Sequence, residues 1–179
     1  MTRRHLARLG RSLATLSLAA LLLSAVSGCG ETVPVSLEAG RVERIVDGDT
    51  LVLRGGGRVR LLQVDAPEAD GECYARAAAR ELARLAPPGA EVVLEADPRL
   101  DRVDAYGRLL RYVLTRGVNV NVALVRRGAA TPYFYRGERG RYAVRLLAAV
   151  HEARAAGRGM WGACRVSWAP TRQVETRAR

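Results

Sequence analysis

The chain has 179 residues, enough for one compact domain with a short extension, and its 49% apolar and 26% charged composition excludes both wholesale disorder and a multi-span membrane protein. All 29 basic residues are arginine, and against 18 acids they leave a net charge of +11. Absence of lysine beside abundant Ala and Gly reflects GC-rich coding, but a surface of this sign attracts nucleic acid or anionic lipid whatever the origin of its arginines.

Residues 1–11 carry Arg3, Arg4, Arg8 and Arg11 with no acid, and an apolar and small-residue run from Leu13 to Val26 follows. That order is the n-region and h-region of an export signal, and the run falls short of the ~20 residues needed to cross a bilayer. It ends in Val26-Ser27-Gly28-Cys29, which resembles the bacterial lipobox. Residues 1–28 are therefore expected to be a lipoprotein signal, with Cys29 acylated and the chain anchored to a membrane, facing outside the cytoplasm. Loss of the four N-terminal arginines takes the +11 to +7, so the basic bias survives processing. Cys73 and Cys164 would remain in an oxidising compartment, where one disulfide is the expected pairing. The mature chain has one histidine, His151, and no CxxC or GxSxG, so zinc sites and His-based nucleophile systems lack support.

Residues 29–40, with Pro34 and small polar side chains, read as a tether. Val42–Val46, Thr50–Leu53 and Val59–Val64 read as three strands separated by Asp47-Gly48-Asp49 and Gly55-Gly56-Gly57. Cys73–Leu85 is an expected helix with Tyr74, Ala78, Leu82 and Leu85 along one side, stopped at Pro87-Pro88-Gly89. Strands are expected at Glu91–Glu95 and Arg108–Leu114, joined by an acidic loop. A short helix follows from Val120 to Arg127, capped by Asn119 and ended by Gly128. The last helix, Arg141–Ala156, has Tyr142, Leu146, Ala149, Val150 and Ala153 as its apolar stripe. Residues 165–179 show no period and read as a flexible tail. Five short strands with three helices in this order give an α+β chain, a five-stranded Greek-key barrel of the OB type spanning residues 41–164.

In a basic chain, Asp47, Asp49, Asp65 and Glu68 gather at two strand ends. Acids so placed repel each other unless a cation lies between them, and oxygen-only ligands suit a hard one, calcium before magnesium. Arg60 lies on the strand leading to Asp65, and Arg108 follows Asp104-Ala105-Tyr106-Gly107. A cation and two guanidinium forks near one carboxylate form the set needed to neutralise a phosphodiester while water is activated. Taken singly, each acid is read as readily as a turn residue or a solvated one, and each arginine as surface charge.

Four blocks in order resemble the staphylococcal-nuclease-like thermonuclease family: residues 46–50 (VDGDT), 59–68 (VRLLQVDAPE), 104–108 (DAYGR) and 120–128 (VNVALVRRG). The resemblance runs from about Arg41 to Gly162. It implies an OB-fold endonuclease that uses calcium to hydrolyse DNA and RNA, leaving 3′-phosphate ends. Carried onto this chain, Asp49 and Asp65 would be calcium carboxylates and the carbonyl of Ala66 a further ligand. Glu68 would be the general base, and Arg60 and Arg108 would contact the phosphate. Ala66 stands where the best-known member has Thr, and Ala105 where it has a phosphate-holding Lys; Tyr106 matches its neighbouring Tyr. The loop after Glu68 is shorter. Which of Tyr133, Phe134 and Tyr135 stacks on a nucleotide is left open, with Tyr133 and Tyr135 as the candidates alongside Tyr106. A monomer acting on DNA and RNA is expected. The competing readings are an envelope-anchored OB-fold nucleic-acid binder without catalysis, and an interaction module whose acids and arginines form structural pairs.

Overall fold

The computed structural model describes residues 36–68 and 71–179. Signal residues 1–28 and the acylation candidate Cys29 lie outside them. The first strand, β1 (Leu37–Ile45), serves two neighbours. Its first half pairs antiparallel with β5 (Glu91–Glu95), Leu37 opposite Glu95, and its second half with β2 (Thr50–Leu53), Ile45 opposite Leu51. A register irregularity between Val42 and Arg44 bends it from one partner to the other. Strand β2 pairs antiparallel with β3 (Arg58–Leu61), and β5 with β6 (Leu109–Thr115). Parallel pairing of β3 with β6, Arg60 opposite Leu110, closes a five-stranded mixed barrel. Closure leaves these strands no free edge.

Leu51, Val59, Leu61, Leu94 and Val113 fill the barrel core, and the helices α1 (Ala75–Leu85), α2 (Val120–Arg126) and α3 (Ala143–Ala155) pack on it through Ala78, Leu82, Leu124, Val125, Leu146 and Val150. The expected stripes of α1 and α3 point inward. Asn119 caps α2, its side-chain oxygen accepting from Val122 N at 2.9 Å, and Gly128 ends that helix with φ 70°. Buried Asn121 ties α2 to the barrel: its Oδ1 accepts from Val113 N at 3.0 Å and its Nδ2 donates to the Leu62 carbonyl at 2.8 Å. Short pieces complete the chain: β7 (Val118–Asn119) turns back on β6, and α4 (Met160–Ala163) is a single turn.

Three expectations need correction. The expected strand Val59–Val64 breaks at Gln63, whose φ of 59° is left-handed. Its buried side chain makes that backbone tolerable: Oε1 accepts from Tyr112 Oη and Gly140 N, both at 2.9 Å, and Nε2 donates to the Glu138 carbonyl at 2.7 Å. The chain then resumes as β4 (Val64–Asp65), paired with β8 (Thr131–Pro132). The tether reading of residues 29–40 ends too late, because Leu37–Gly40 already belongs to β1. Residues 165–179 are not a flexible tail. They form a hairpin, β9 (Cys164–Ala169) and β10 (Arg172–Ala178), with Val174 and Thr176 buried between exposed Gln173, Glu175 and Arg177.

Candidate active site

The Asp47-Gly48-Asp49 turn enters β2 under tight steric limits. A side chain on Gly48 would meet the Cβ atoms of Ala66 and Ala78 at 2.5 and 2.8 Å, so only glycine lets this turn pack against both. Ala66 in turn gives up its side chain to that packing. Its N–H donates to Asp49 Oδ2 at 2.8 Å, while Asp49 N donates to Asp47 Oδ1 at 3.0 Å. Asp49 is thus held from both sides, 5% exposed.

Arg60 lies between the two carboxylates named for calcium. Its Nε is 3.0 Å from Asp49 Oδ1 and its Nη2 2.8 Å from Asp65 Oδ1. Its Nη1 donates to the carbonyls of Leu61 at 3.0 Å and Val64 at 2.6 Å, so the break at Gln63 shapes the pocket that receives the guanidinium. Asp65 is buried, and its Oδ2 accepts from Val174 N at 2.8 Å. The resemblance places Arg60 on a phosphate; here its donors are spent on the carboxylates and carbonyls.

Burial, opposed by Arg60 and reinforced by Asp47 and Asp65, pushes the pKa of Asp49 up to about 7. Burial also raises Asp65 against the pull of Arg60. Glu68 is raised by partial burial and then by Asp65 and Asp47. Burial works against the charge on Arg60, but its carboxylate neighbours outweigh it and hold its pKa above the ordinary value. Acids resisting ionisation beside one another have room for more positive charge than Arg60 supplies.

A cleft of about 600 Å³ opens here, lined by Asp47, Asp49, Arg60, Glu68 and Arg108. Asp65 reaches it through its bond to Arg60. Across the cleft Arg108 is steered by Asp104, which accepts from its Nε at 2.6 Å and from its backbone N at 2.9 Å. Despite partial burial, those bonds hold Asp104 below the usual carboxylate range. Tyr106 is 85% exposed, with the Arg108 guanidinium 5.4 Å from its ring centre. Tyr133 and Tyr135 line the same cleft, whereas Phe134 is buried in the core. Arg60, Glu68, Arg108, Asp49, Tyr106, Tyr133 and Tyr135 therefore share one cavity, with Asp65 and Ala66 hydrogen-bonded to its walls. Cys73 and Cys164 are joined, Cα to Cα 6.0 Å, away from the cavity lining.

The donor chemistry fits a hard cation: two carboxylates, oxygen-rich surroundings and no nitrogen or sulfur ligand. Among the described residues no three His, Cys, Asp or Glu side chains converge as a ready cage. Main-chain carbonyls and water would have to supply the remaining ligands.

Sequence reasoning missed three participants. Asp104 could have been found from its four-residue spacing to Arg108 across a glycine turn. Gln173, which lines the cleft, and Val174 sit in the segment read as a tail; their signal was alternation of Val174 and Thr176 with polar residues after Pro170.

A closed OB-type barrel with carboxylates and arginines in one lateral cleft defines the class. Residues 58–163 match the family described as Staphylococcal nuclease homologue, and the chain belongs to that family. It is similar to a protein named Micrococcal nuclease from Shigella flexneri, 38% identical over 111 residues, which are 55% of this chain and 60% of that protein. It is also similar to Endonuclease YncB of Bacillus subtilis (strain 168), 37% identical over 97 residues, 50% of this chain and 45% of that one. The chain thus spans less than two thirds of either relative.

Proposed function

We propose that the cleft hydrolyses phosphodiester bonds of DNA and RNA with the help of calcium. The observation that carries this reading is the meeting of Asp49, Asp65, Glu68, Arg60 and Arg108 around one cavity, in a fold whose relatives are named as nucleases. Asp49 and Asp65 would hold the cation, which when bound supplies charge neutralisation for the phosphate. Arg108, oriented by Asp104, offers a planar fork to a phosphate entering the open side of the cleft. Glu68 is the general base: its raised pKa makes it a better proton acceptor for water near neutral pH. Water adds to phosphorus and its proton passes to Glu68. The bond to the 5′ oxygen breaks, that oxygen leaves with the electron pair and takes a proton from solvent to become the 5′ hydroxyl, and a 3′-phosphate remains. Tyr106, exposed beside Arg108, offers an aromatic face to a nucleotide.

The basic-then-apolar order of residues 1–28, the lipobox-like Val26-Ser27-Gly28-Cys29 and the Cys73–Cys164 disulfide support anchoring outside the cytoplasm, where the enzyme would act as a monomer. Incubation of the mature domain with plasmid DNA and with RNA, in calcium or in chelator, tests the activity. Cleavage in calcium alone with 3′-phosphate ends is expected; intact substrates in both conditions would refute it.

A further inference from the structure

The family match ends at residue 163, and Cys164 begins the hairpin. This hairpin reaches the candidate metal site. Trp168 Nε1 donates to the Pro132 carbonyl at 2.8 Å, and Phe134 N donates to the Pro170 carbonyl, fastening its turn to the β8 segment. At its other end Thr176 Oγ1 donates to the Cys73 carbonyl and Thr176 N to Glu72 Oε1 at 3.2 Å. Glu72 Oε2 accepts from Glu68 N at 2.7 Å, so one carboxylate joins the hairpin to the loop of the proposed base.

Between these anchors lies the contact that matters for chemistry. Strand β10 pairs with β9 at Arg172 and again from Glu175, with an irregularity between them. At that gap Val174 N donates to Asp65 Oδ2 at 2.8 Å, and the Gln173 side chain lies against the same carboxyl and lines the cleft. One oxygen of Asp65 is thereby committed to the hairpin and the other is turned toward Asp49 through Arg60.

We infer that the C-terminal hairpin is a positioning arm of the active site, with Val174 N–H fixing Asp65 so that one oxygen faces the cation, and the Cys73–Cys164 disulfide fastening the arm at its root. A hydrogen bond to the far oxygen of a ligating carboxylate sets its orientation, and loss of such a partner commonly costs 10–100-fold in metal affinity. The inference rests on the nuclease reading of the cleft.

Val174→Pro removes the N–H while keeping an apolar side chain of similar size, and Cys73→Ser/Cys164→Ser releases the root. Calcium affinity of the full mature protein by calorimetry, with kcat and KM for DNA, reads the effect. Val174→Pro should weaken calcium binding about 10-fold or more, the cysteine pair should weaken it to a lesser degree, and saturating calcium should restore much of kcat with KM little changed. Because calcium binding also stabilises the folded state, circular dichroism and thermal melting of each variant without calcium tell a general loss of structure from a loss of metal affinity. Arg177→Ala, at an exposed position on the same strand, should bind calcium as wild type does. Wild-type affinity in folded Val174→Pro would overturn the inference and leave the nuclease reading standing; if that variant does not fold, wild-type affinity in the cysteine pair overturns it. A wild-type protein without calcium affinity would remove both.

Discussion

Asp49 carries the largest electrostatic cost in the site, because it is buried among two other acids with one arginine to offset them. With a pKa near 7 in the folded protein and an ordinary one in the unfolded chain, the folded state binds this proton more tightly. The stabilisation is full below the ordinary carboxylate range and is lost as pH rises through about 7. Asp65 and Glu68, also raised, slope the same way. Asp97 and Asp104, held low, act in the opposite sense only in more acidic solution. Thermal unfolding without calcium should therefore show a less stable domain at pH 8 than at pH 5, by on the order of a few kcal/mol. Millimolar calcium should reverse that trend, because it binds the ionised carboxylates. A melting temperature that rises from pH 5 to pH 8 in chelator would contradict the assignment.

Elements place these residues by closing the barrel and then leaving it. Alternating apolar runs, turn glycines, the Asn119 cap and the inward stripes of α1 and α3 made the barrel and its helices legible in the sequence, because each is a local signal. The four motif blocks made the cleft legible. What stayed hidden depends on distant partners. Gln63 takes a left-handed backbone because Tyr112, Glu138 and Gly140 satisfy its amide, and those residues lie 49 to 77 positions away. The hairpin is rich in arginine and shows few apolar anchors, and its order comes from Asp65, Cys73, Phe134 and Pro132. For Arg60, the spacing from Asp65 does not reveal that its guanidinium meets two carboxylates and two carbonyls at the wall of the cleft. Cysteine parity did foreshadow the bridge. Its closed loop spans 91 positions, for which chain-entropy reasoning gives about 4.5 kcal/mol. Urea unfolding of Cys73→Ser/Cys164→Ser should show a loss of a few kcal/mol; an unchanged midpoint would show that packing alone fixes the hairpin.

At the scale of the whole molecule, a basic domain with an acidic cleft meets two opposing requirements. The net positive charge, +11 for the full chain and +7 without the four N-terminal arginines, draws in a polyanion, while the local acids repel phosphate until a cation neutralises them. No helix among the described residues is long and apolar enough to cross a membrane; the proposed anchoring rests on the lipobox-like sequence ending at Cys29. Lipid labelling of cells should mark the wild-type protein and not Cys29→Ser; equal labelling would refute acylation there. The central claim is that the cleft turns bound nucleic acid over rather than merely holding it. The most direct measurement is cleavage and binding of DNA by wild type and Glu68→Gln in millimolar calcium. Glu68→Gln should lower turnover about 10²-fold or more while binding DNA with wild-type affinity. If the wild type binds DNA yet leaves it uncut, and Glu68→Gln only binds more tightly, the cleft is a binding surface and not a catalytic one.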